Sequence, residues 1–117
     1  MIFNVATQEQ VNELNKKLSK VTLLDEPIVL TAGGVTLLNN INEYEHLEIY
    51  FECNGYSDVK VISTKKLNYA YLISIFASTS NYISATLSIY NGQLSGKYLT
   101  SVGFSTMTIA KIIGVYN

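Results

Sequence analysis

The chain has 117 residues, 48% hydrophobic and 15% charged, with eight lysines, no arginine and nine acids for a net charge of -1. This describes one globular domain with a real core and a nearly neutral surface, too apolar for a disordered segment. Without arginine or a basic excess it does not suit nucleic acid, whose phosphates and guanines both favour arginine. Cys53 is the single cysteine, so no intramolecular disulfide and no cysteine zinc cage can form. No window reaches the ~20 apolar residues of a membrane span, and the start, MIFNVATQEQ, lacks the basic region of a secretory signal. Synthesis in the cytoplasm without membrane insertion is the expectation.

In chain order, Thr7-Gln8-Glu9-Gln10 is a capping box, which predicts a helix from Gln8. Val11, Leu14, Leu18 and Val21 follow at spacings of three, four and three, the narrow stripe of a coiled-coil seam, while the positions between them are polar. At about 14 residues such a helix is marginal alone in water. It must lie either against identical helices or against this domain's own sheet, and the spacing alone does not separate the two. Residues 1–26 are read as helix and stalk, residues 27–117 as a β domain, with Pro27 at the boundary.

Ile28 to Thr31, a turn at Ala32-Gly33-Gly34, and Val35 to Leu38 read as strand, turn, strand. From Ile41 to Thr64 the chain reads as a hairpin about Asn54-Gly55, with Leu47, Ile49 and Phe51 inward and His46, Glu48, Tyr50 and Glu52 outward. On the returning strand Val59 and Val61 are expected inward, Asp58 and Lys60 outward. Cys53, at the strand end, is expected on the surface. Tyr69 to Ala77 is apolar enough for a strand buried on both faces. Ile83, Ala85, Leu87 and Ile89 alternate with polar residues up to Asn91-Gly92, and Gln93 to Thr100 returns. Thr106 to Tyr116 closes the chain with Met107, Ile109, Ile113 and Val115 inward and Lys111 out of pattern. About eight short strands predict a mainly β, antiparallel sandwich or jelly roll preceded by the short helix.

No catalytic constellation is present. His46 and Glu48, two apart on a strand, share a face and carry metal-ligand or acid/base chemistry, but with one histidine in the chain a solvated outer face is the favoured reading. No nucleophile elbow, P-loop or dinucleotide fingerprint occurs, so no enzyme, metal or cofactor is expected. Nine tyrosines exceed what a core needs; with neighbouring Asn, Ser and Thr they suit sugar or protein binding, against the plainer reading of ordinary strand residues. Tyr56 and Tyr82, beside expected turns, are the candidate ligand-binding residues.

The heptad-like first segment, YEHLEIYFECNG followed by SDVKVIS, and the closing TIAKIIGVY together resemble the head domains of tail-fibre or baseplate proteins of phages and prophages of Gram-positive bacteria. The resemblance spans nearly the whole chain and is one of style, with no diagnostic motif, so no residue inherits a role from it. It implies a trimeric β-sandwich head on a short coiled coil, in the virion tail, binding a host-surface glycan or serving as fibre structure. The chain departs from such fibres in lacking a long shaft. The alternative is a monomeric, non-enzymatic interaction module whose helix packs on its own sheet.

Overall fold

The computed structural model describes Gln8, residues 20–65 and residues 69–116. Among these residues lie nine strands: β1 Lys20–Leu24, β2 Ile28–Val29, β3 Val35–Leu38, β4 His46–Cys53, β5 Tyr56–Ser63, β6 Tyr69–Ser78, β7 Asn81–Tyr90, β8 Gln93–Val102 and β9 Thr108–Val115. They form two antiparallel sheets that pack as a sandwich, one ordered β1-β9-β4-β5 with β2 also on β9, the other β3-β8-β7-β6. The mainly β class read from composition is the class observed. Hairpins join β4 to β5 and β6 to β7 to β8 within a sheet, while the chain changes sheet after β2, β3, β5 and β8. The Ala32-Gly33-Gly34 turn therefore links two sheets rather than closing a hairpin, since β2 pairs β9 and β3 pairs β8.

Alternation builds the core. Leu47, Ile49 and Phe51 of β4 with Ile109 and Ile112 of β9 come from one sheet, and Ile83, Ala85, Leu87 and Ile89 of β7 with Leu94 of β8 from the other. All are at most 3% exposed and belong to one cluster. Each large aliphatic side chain so buried contributes about 1.5–3 kcal/mol of transfer free energy. Both Asn-Gly pairs turn as expected, with positive φ at Asn54, Gly55, Asn91 and Gly92.

Several faces differ from the sequence reading. In β5, Val59 (43% exposed) and Val61 (56%) point outward and Ile62 is buried. The two-residue turn sets Cys53 opposite Tyr56, so Tyr50 meets Val59 and Glu48 meets Val61, and cross-strand partners share a face. Asp58 and Lys60 thus fall on the inward side of an edge strand, where charge discourages pairing with a further strand. The Asp58 carboxylate also accepts from the Val59 N–H. β6 is an edge strand buried on one face only, with Leu72 and Phe76 exposed. In β9 the pairing with β4 slips between Tyr50, opposite Lys111, and Phe51, opposite Ile109. Ala110 is the extra residue of this bulge, so Ile112 is buried and Ile113 and Val115 turn outward.

Cys53 is 3% exposed and part of the core, not the surface. It continues the inward series of Leu47, Ile49 and Phe51 by one more pair of residues. Of the predicted helix, Gln8 is helical, and Val11, Leu14 and Leu18 lie outside the described residues. Val21 does not belong to a helical stripe: it sits in β1 opposite Gly114. β-branched Val21 and Thr22 suit a strand, and β9 supplies a ladder for them. The sandwich therefore begins by Lys20 rather than at Pro27.

Candidate functional site

The strand registers give the sandwich two distinct ends. Lys20 lies opposite Val115, which lies opposite His46, so the chain from the N-terminus joins the sandwich at the His46 end of β4. Cys53 and Tyr56 flank the turn at the other end. That second end also carries the β6–β7 turn and residues 103–107, because Ser101 of β8 faces Ile83 while Thr108 of β9 faces Glu52.

Aromatic side chains gather at this far end. Tyr56, 51% exposed, holds its ring centroid 5.6 Å from that of Phe104. Phe76, 67% exposed, stacks on Tyr82 at 5.8 Å and 29°. Tyr82 forms an isolated bridge with Gly103, whose next neighbour is Phe104, so residues 103 and 104 connect the two ring pairs. The backbone makes this possible through Gly103, at φ +75; a Cβ there would stand 2.2 Å from the Ser80 carbonyl oxygen and 2.3 Å from Asn81 Oδ1. Tyr56 and Tyr82, expected in loops, are instead the first residue of β5 and the second of β7, one and two positions from a turn. The structure brings them to one end of the molecule. Sequence reasoning missed Phe76 and Phe104; the Gly103-Phe104 pair after a polar strand was the available signal.

Cys53, buried in the core, is the cross-strand partner of Tyr56 at this end. Burial pushes its thiol up from the ordinary value, partly offset by a backbone hydrogen bond from Thr106. Its Sγ is 3.5 Å from Asn54 Oδ1.

The remaining tyrosines divide by role. Tyr44 is buried, and Tyr71, Tyr98 and Tyr116 pack against the core. The Tyr71 hydroxyl accepts from the Ser63 N–H at 3.2 Å and donates to the Ser63 carbonyl at 3.1 Å, which satisfies outer backbone groups of edge strand β5. The Tyr98 hydroxyl accepts from the Met107 N–H, anchoring the far-end loop. These four are framework, in keeping with the plainer reading. Tyr69 and Tyr90 are exposed, but they lie toward the opposite end, since Tyr69 pairs Ile89 and Tyr90 precedes the Asn91-Gly92 turn.

His46 and Glu48 share the outer face of β4. Glu48 is 2.8 Å from Lys20 Nζ, and this hydrogen-bonded pairing raises the Lys20 ammonium above the usual lysine range. Among the described residues no group of three or more His, Cys, Asp and Glu could hold a metal ion, and no helix is long and apolar enough to cross a membrane. No family model and no characterised protein matches this chain.

Proposed function

We propose that this chain is a non-enzymatic head of the phage or prophage tail-fibre or baseplate type, which binds a host-surface saccharide through its aromatic far end. The observation that carries this reading is the polarity of the sandwich. Exposed Tyr56 and Phe76, with Tyr82 and Phe104 beside them, lie at the end away from Lys20, where the chain joins the fold. A head carried on its N-terminal segment presents that end outward. Exposed aromatic rings offer flat apolar area to the C–H faces of sugars, and Asn54 and Ser80 in the adjoining turns, with Ser78 and Asn81 at the strand ends, supply hydrogen-bonding groups. Val11, Leu14 and Leu18, spaced as a coiled-coil seam just before Lys20, support assembly with copies of itself, a trimer being favoured, in a virion tail.

Screening the full chain against purified wall polysaccharides and teichoic acids of Gram-positive bacteria tests the reading. Saturable binding to at least one is expected. Absence of binding across the panel, together with no adsorption to intact cells, refutes it.

A further inference from the structure

We propose a saccharide subsite in the groove on the outer face of the first sheet, built by the β9 bulge over Tyr50. This rests on the saccharide-binding reading above and assigns it a second place of contact. The groove has a volume of about 420 Å³, within the range typical of small-ligand sites, and opens between β9, β4 and β5.

Its origin is the residue that breaks the alternation of β9. With Ala110 extra in the pairing, Ala110 and Lys111 both leave the core side, and the small Ala110 opens the space that a regular strand with a larger side chain would fill. Lys111 then lies opposite Tyr50, its Nζ 4.8 Å from the ring centroid. Glu52 and Ser57, paired across β4 and β5, form the polar rim, and Val59 adds an apolar wall.

The chemistry of this lining selects the ligand. On the outer face the lining carries one carboxylate, Glu52, and one ammonium, Lys111, so it offers no net charge to draw an ion of either sign, while Asp58 borders the groove from the inward side of β5. A neutral ring rich in hydroxyl groups satisfies every part: the carboxylate of Glu52 accepts from two vicinal hydroxyls, Lys111 and Ser57 donate to ring or hydroxyl oxygens, and Tyr50, Val59 and Ala110 meet the C–H face. The site lies at the Cys53 end of β4, beside the aromatic end, so a polysaccharide bound there can continue into it.

Titrating the isotopically labelled full chain with the methyl glycosides of glucose, galactose, N-acetylglucosamine and rhamnose, followed by amide chemical shifts, tests the proposal. We expect saturable shifts centred on Glu52, Ser57, Val59 and Lys111 for at least one glycoside, with a dissociation constant on the order of 1 mM. Tyr50→Ala and Glu52→Gln should each weaken it at least about tenfold, equivalent to 1.4 kcal/mol. Glu52 is exposed, so Glu52→Gln serves where loss of the Tyr50 ring disturbs the sheet. Shifts centred instead on Tyr56, Phe76 and Tyr82 overturn the groove and leave the broader reading standing. The absence of any saturable shift, with cell adsorption retained, does the same. Loss of both glycoside and cell binding overturns both.

Discussion

Replacing Gly103 by alanine should damage the fold far more than the same change at Gly55, although both have positive φ. Gly55, at φ +86, has nothing within 4 Å of where a Cβ would stand, so Gly55→Ala meets only the left-handed conformation, costing about 1–2 kcal/mol. Gly103, at φ +75, carries that same strain and would also drive a methyl to 2.2 Å from the Ser80 carbonyl and 2.3 Å from Asn81 Oδ1. The first contact is backbone in the β6–β7 turn and cannot swing aside, and relieving such a clash costs about 1–3 kcal/mol more. For a domain of this size about 1 kcal/mol corresponds to roughly 4 °C in Tm. Gly55→Ala should lower Tm by roughly 4–8 °C and Gly103→Ala by roughly 8–20 °C on the same scale. Thermal melts followed by circular dichroism, with urea denaturation as a second measure, make the comparison. Equal losses for the two variants would refute the packing assigned to residues 79–81 and 103–104, and with it the connection between Tyr82 and Tyr56.

Cys53→Ser places a hydroxyl in the core and should cost about 1–3 kcal/mol, read from urea midpoints. Because the folded thiol binds its proton more tightly than the unfolded one, its contribution is complete below the ordinary thiol pKa and is lost as pH rises through the higher folded value. Reaction with a thiol reagent at pH 8 should therefore be slow until denaturant is added. Tyr71→Phe removes both bonds to the Ser63 backbone on an edge strand and should cost about 1–2 kcal/mol in the same assay. Leu14→Asp with Leu18→Asp should loosen the assembly while the sandwich keeps its circular dichroism, whereas a parent that already scatters light as a 13.0 kDa monomer sinks the seam.

Much of the sandwich was legible, and what was missed has local causes. Strict alternation about Asn91-Gly92 identified Ile83, Ala85, Leu87 and Ile89 as core because each apolar residue had a polar neighbour and the turn fixed the register. In β5 the valines outweighed the turn geometry, although Asn54-Gly55 already required Tyr50 to face Val59. In β9, Lys111 out of pattern was the mark of a bulge, but a bulge inverts every later position, so Ile113 and Val115 exchanged faces with Ile112. Val21 satisfied the helical spacing and also suited a strand, and a single chain holds no information on which partner wins until β9 is placed beside it. The same long-range assembly explains the site. Tyr56 and Tyr82 stand out as candidates from turn chemistry, but their connection at one end runs through Gly103 meeting Tyr82, a pairing between residues 21 positions apart that no local pattern shows.

The most direct measurement compares solvent-accessible tyrosines at the two ends of the molecule. Tyr56→Ala with Tyr82→Ala alters the far end, removing one exposed and one half-buried ring, and Tyr69→Ala with Tyr90→Ala removes two exposed rings at the end nearer Lys20. Binding isotherms of the parent and both folded double variants on Gram-positive cell walls should show affinity reduced at least about tenfold for the first pair, equivalent to 1.4 kcal/mol, and unchanged for the second. Equal affinities for all three proteins, or a loss confined to Tyr69→Ala with Tyr90→Ala, would contradict recognition at the far end.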